Sequence, residues 1–256
     1  MNRFLAAMVG AALAAAPGCG SETSAKWKDK FFPQPTAVYL VRIESDRADE
    51  RREGLERVAA DAGARRLPSV VKLFCVVARN DGDAMVRAAA VRGLAVMAGE
   101  DVVPTLGHVA THDESPFVRT DACRALGRQA AAGAVAPLAE VLRGDGLADV
   151  RVAAAEALRQ FRDKAAAGAL VGALGDSSLA VSRKAWESLR HMTGQDLPRQ
   201  ARPWEELLAQ ADNPFLGYGR PPPMPKGENQ RPQFTKGPAE FIRGLFARDV
   251  REAELE

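Results

Sequence analysis

The chain has 256 residues, with 35 lysines and arginines against 33 aspartates and glutamates, for a formal charge of +2. That balance excludes long-range electrostatic capture of nucleic acid or an acidic membrane, although local patches stay open. Three cysteines and 6% aromatic residues exclude a disulfide-stapled scaffold and a core built on aromatic rings.

Residues 1–18 open with Arg3, continue with the apolar run Phe4 to Ala16, and lead through Pro17-Gly18 to Cys19. The 13 apolar residues fall short of the ~20 that a bilayer span needs, so this segment reads as a secretory signal peptide. The cysteine directly after it resembles a bacterial lipobox, with Ala16 where that motif favours Leu. The resemblance implies that Cys19 is lipidated and becomes the first residue. Gly20 in place of Asp then implies the outer membrane, with the protein facing the periplasm. A plain secretory signal cleaved after a small residue is the other reading. Residues 19–35 are polar, contain Pro33 and Pro35, and read as a tether.

Residues 36–211 read as one array with irregular caps at both ends, and within about residues 47–192 the sequence repeats every 32 residues. Val86-Arg87, Val118-Arg119 and Val150-Arg151 each open a stretch V-R-x-x-A-x-x-G/A-L, and Phe74, Leu106, Leu138 and Leu170 mark a second register with the same spacing. A single helix pair cannot bury its own apolar face, so such a period predicts helix pairs stacked on copies of themselves. The first helices are predicted over 68–79, 102–111, 134–143 and 166–174, and the second over 84–97, 116–130, 148–161 and 179–191. Val150, Ala154, Ala157, Leu158 and Phe161 have the spacing of one helical face. Small residues dominate that face, which predicts close helix approach and a thin, alanine-rich core. Ahead of the regular repeats, Arg51 to Val58 imitates a second helix and Ala37 to Val41 hints at a first, as suits an irregular terminal unit.

At the turns, Asp81, Asp113 and Asp145 each stand six residues before Arg87, Arg119 and Arg151. A carboxylate there can satisfy N–H groups at a helix start and pair with the arginine, and the arginine fork can also reach a neighbouring unit's aspartate. These six residues therefore read as a structural ladder. In the last unit Asp176 precedes Val181-Ser182, with Arg183 one place late, so the ladder is expected to end or distort there.

The D-x-x-x-x-V-R spacing, together with Pro104 and Pro137 near the starts of first helices, resembles the Asp/Arg ladder of HEAT repeats. The period is shorter than the roughly 40–47 residues of standard units, so the chain is more similar to the short HEAT-like repeats of bacterial proteins, including the phycobilin-lyase type. The resemblance implies an all-α, right-handed solenoid of four to five helix pairs whose second helices line a concave surface. Positions 92, 124, 156 and 187 on those helices read Arg, Arg, Glu and Glu. Arg92, Arg124, Arg128, Glu156 and Glu187 are accordingly the candidate partner-binding residues, against the plainer reading of a solvated charged face.

Thr193-Gly194-Gln195-Asp196, followed by Trp204, Leu207 and Leu208, resembles the closing motif of bacterial HEAT-like arrays and reads as a structural cap. Residues 212–238 are expected to be a Pro-rich linker, since seven prolines fall among the 26 residues from Asn213 to Pro238. Residues 239–256 are expected to form a terminal helix, with Phe241, Ile242, Leu245, Phe246 and Val250 on one side. That helix has three possible seats: the array itself, a partner, or a membrane surface.

No catalytic motif appears. His108 and His112 share a helical face, but Val109-Ala110-Thr111 between them lacks the glutamate of H-E-x-x-H, so they read as a solvated or capping pair. Cys75 and Cys123 occupy apolar repeat positions and read as buried thiols. The sequence thus points to a non-enzymatic, lipid-anchored envelope scaffold for an unidentified protein, without metal, cofactor or nucleic acid. A phycobilin-lyase-like or other small-molecule function and a purely structural spacer are the alternatives.

Overall fold

The computed structural model describes residues 36–220, which divide into two compact units, one ending at Gly99 and the other starting at Glu100. Each is a stack of antiparallel helix pairs, and the described residues hold helices and turns but no strand. The first unit comprises α1 (Thr36–Arg42), α2 (Ala48–Ala60), α3 (Pro68–Asn80) and α4 (Ala84–Leu94). The second comprises α5 (Val102–His112), α6 (Pro116–Gln129), α7 (Val135–Gly144), α8 (Ala148–Leu158), α9 (Lys164–Ala173), α10 (Leu179–Thr193) and α11 (Ala201–Gln210). The predicted signal peptide, the tether with Cys19 and the terminal helix 239–256 lie outside the described residues. No described helix is long and apolar enough to cross a membrane.

The packing follows the repeat. In the second unit α5, α7 and α9 pack side by side as one layer and α6, α8 and α10 as another, each helix also packing on its own partner. In the first unit α1 pairs with α2, α3 with α4, and α2 packs on α4. Sequence breaks the chain cleanly between paired helices. Asp81, Asp113, Asp145 and Asp176 follow first helices, and each carboxylate accepts the N–H two residues on at 2.8–2.9 Å. Pro68 and Pro116 start their helices, where the missing N–H costs nothing.

The core is thin, as expected from its small residues: Ala88, Ala90, Ala122, Ala154 and Ala155 are fully buried on second helices. Volume is traded across the pair. Phe74 faces Gly93, where a Cβ would stand 2.7 Å from Cδ1 of the phenyl ring. One and two periods on, the register reads Leu106 with Ala125 and Leu138 with Ala157. Gly93→Ala is therefore expected to lower stability by about 2 kcal/mol despite the better helix former, because the buried ring must leave its rotamer. Adding Phe74→Leu should recover more than half of that loss in urea unfolding; if the two changes simply add, the trade is not real.

The carboxyl end is closed by α11, which packs on α9. Trp204 is fully buried and its Nε1–H donates to the Pro198 carbonyl at 2.8 Å, while Trp186 Nε1–H holds the neighbouring Leu197 carbonyl at 2.7 Å. Gly194 ends α10 in the left-handed conformation, φ 69°, as the closing motif suggested.

The expected linker 212–238 needs correction at its start. Residues 213–220 fold back on the second unit instead of leaving it. Gly219 N–H donates to the His191 carbonyl at 2.9 Å, Tyr218 Oη donates to the Gln160 carbonyl at 3.3 Å, and the Tyr218 ring meets His191 edge-on at 5.2 Å. Two glycines make this return possible: a Cβ on Gly217 would stand 2.8 Å from Gly194 Cα. Burial, together with the Arg159 charge, holds the His191 imidazole below its usual pKa.

Candidate protein-interaction face

The ladder arginines use both sides of the guanidinium. Nη1 of Arg51, Arg87, Arg119 and Arg151 donates to a carbonyl of the preceding turn, those of Ser45, Asp81, Asp113 and Asp145, at 2.7–2.9 Å. Nε and Nη2 then grip the carboxylate of a later turn as a fork. Arg51 holds Asp81 at 2.8 and 2.9 Å, Arg119 holds Asp145 at 2.7 and 3.1 Å, and Arg151 holds Asp176 at 2.8 Å through both nitrogens. This corrects the local pairing that the six-residue spacing suggested. At six residues the arginine reaches the backbone oxygen of the aspartate, whose carboxylate accepts the N–H two residues on. The side-chain partner of Arg119 is Asp145, not Asp113. In the last pair Ser182 takes the arginine's place and donates to the Leu174 carbonyl at 2.7 Å, and Arg183 turns outward to Glu187.

With those arginines committed, charge on the second helices comes from the positions that do not repeat. Arg124, Arg128 and Glu156 are exposed and line one groove of about 560 Å³ between α6 and α8. Gly127, Ala153 and Ala157 form its floor. Gly127 lets the helices come close, since a Cβ there would sit 3.1 Å from that of Ala157. Arg124 is 3.3 Å from Asp121. Arg128 and Glu156 have no ion-pair partner among the described residues. The other candidates do not join this groove: Arg92 lies in the first unit, 3.7 Å from Glu56, and Glu187 is tied to Arg183 and Lys184 of its own helix at 3.0 and 3.1 Å.

Sequence reasoning missed two residues of the groove, Arg159 and Gln160. Arg159 stands in register with Ala95 and Gly127, so the break in the repeat was the available signal. Its Nε is buried without a hydrogen-bond partner among the described residues.

The profile of HEAT repeats matches residues 71–146 and 135–216, more than half of the chain. The chain belongs to the HEAT-repeat family. Among solved structures it is similar to two engineered proteins studied by a structural genomics consortium. One is 19% identical, with 62% of this chain and 80% of that one covered and a TM-score of 0.43; the other is 21% identical, with 71% and 94% covered and a TM-score of 0.45. No curated protein matches the sequence.

The remaining chemistry-bearing residues sit within these HEAT repeats as follows. His108 and His112 stack face to face on α5, 4.6 Å between centroids, and His112 Nδ1 lies 2.6 Å from the Thr111 hydroxyl. Among the described residues no group of three potential ligands gathers around a metal-sized space. Cys75 and Cys123 are buried free thiols. Burial pushes Cys123 up to about 12, so its thiolate is not accessible at neutral pH.

Proposed function

We propose that this HEAT-repeat chain is a non-enzymatic scaffold of the bacterial cell envelope, held at the outer membrane by a lipid on Cys19 and recruiting a protein partner on its second helices. The observation that carries the reading is the groove between α6 and α8. It is lined by exposed charges outside the ladder, whereas the repeating arginines are consumed in holding turns together. Charges that cost nothing to the fold and converge on one groove are the usual material of specific recognition on a repeat scaffold. The apolar run before Cys19 supports the anchor. The raised pKa of Cys123 weighs against a thiol-based lyase.

Two measurements test it. Cys19→Ala should move the protein from the membrane fraction to the soluble fraction of the envelope; unchanged membrane retention would remove the anchor. In capture from detergent-solubilised envelope, Arg124→Glu should lose a partner that the wild type retains, by about tenfold or more, and equal recovery would sink the assignment of the groove.

A further inference from the structure

We infer that the groove between α6 and α8 seats an acidic peptide segment of the partner, with Arg128 and Arg159 gripping its carboxylates. This rests on the proposed scaffold reading and narrows it to one site and one ligand chemistry. Arg128 is exposed and Arg159 half-buried, and neither has a carboxylate partner among the described residues, unlike Arg51, Arg119 and Arg151. A half-buried guanidinium that lines the groove without a carboxylate partner carries a desolvation cost that an incoming carboxylate would offset.

Glu156 in the same groove decides the class of ligand. A compact polyanion, such as phosphate or a nucleic-acid backbone, would meet its charge head-on. A peptide brings acidic side chains for the arginines and backbone N–H donors that Glu156 can accept, while Gln160 both donates and accepts. The small floor of Gly127, Ala153 and Ala157 lets an extended backbone approach closely.

The test uses the full chain and a fluorescein-labelled decapeptide of alternating Glu and Ala, followed by anisotropy at low salt, with the Gln-Ala decapeptide as control. The acidic peptide should bind and the control should not. Arg128→Ala/Arg159→Ala should weaken binding about tenfold or more, and Arg143→Ala/Arg202→Ala, the same loss of charge elsewhere, should leave it within about twofold. If the double variant does not fold, Arg128→Ala at its exposed position carries the test. Equal loss from both double variants would mean net charge alone and overturn the site. Displacement by inorganic phosphate as strong as by unlabelled acidic peptide would leave a bare anion site and overturn the peptide. Tighter binding in Glu252→Gln/Glu254→Gln/Glu256→Gln would make the chain's own acidic end the occupant and overturn the partner in trans. If the peptide fails but Arg124→Glu still loses its envelope partner, the acidic-peptide ligand is wrong and the scaffold reading stands.

Discussion

Asp145→Ala should lower the unfolding free energy by about 3 kcal/mol in urea, because it removes one member of a pair whose side chains are only 15% and 6% exposed, Arg119 and Asp145. The arginine would keep its bond to the Asp113 carbonyl but lose both bonds of the fork. Asp145→Asn, which retains an acceptor for the Leu147 N–H, should cost less, about 2 kcal/mol, and so isolate the charge pair from the turn. A loss below about 1 kcal/mol for the alanine variant would show that the pair behaves like a surface contact. The same residues set the acid response. Burial pushes Asp81 and Asp145 up, but the arginine forks, the turn N–H groups and the neighbouring arginine charges outweigh it and hold both carboxyls below the ordinary 3.8. The Arg151 fork is the largest influence on Asp176, which is lowered too. Below about pH 4 the unfolded chain therefore binds more protons than the folded one. Stability from the ladder is fully present above that range and is lost as the pH falls through the depressed values, and Asp145→Ala should make the fall shallower.

Trp204→Ala is the second large effect, with an expected loss of about 4 kcal/mol. Trp204 is fully buried and is anchored to the Pro198 carbonyl, so the truncation opens a cavity at the end of the stack and orphans a carbonyl. The damage should be local. Hydrogen exchange should rise in α11 and in α9, on which it packs, before it rises in α5 and α6. Uniform loss of protection across the second unit would mean that the cap is integral to the whole stack.

Most of the helix plan was legible because a 32-residue period repeats the same burial problem several times, and the answers must agree. The second helices nevertheless stop early, α4 at Leu94 and α8 at Leu158, against expected ends at 97 and 161. The apolar residues beyond those points, Met97 and Phe161, are buried and kept the helical spacing alive past the last helical turn. Ladder partners were only half legible, since spacing along the chain cannot say whether a guanidinium meets a side chain or the backbone behind it. The return of residues 213–220 was hidden by composition: glycine and proline read as linker, yet here Gly217 is small because Gly194 lies against it. Arg159 was hidden because its register position holds Ala95 and Gly127 in the earlier repeats, and a residue that breaks the period leaves no periodic signal.

The forks all point the same way. Arg51, Arg119 and Arg151 each reach forward along the chain, and Asp176 receives a grip that Ser182 does not pass on. The second unit thus has a head and a tail, like a zip with a stop at one end. Copying an interior repeat in whole would hand the grip on unbroken, with a donor and an acceptor in every copy. A repeat added after α10 would find Ser182 where the ladder needs an arginine, so its first turn would lack the fork that the turns at Asp145 and Asp176 receive.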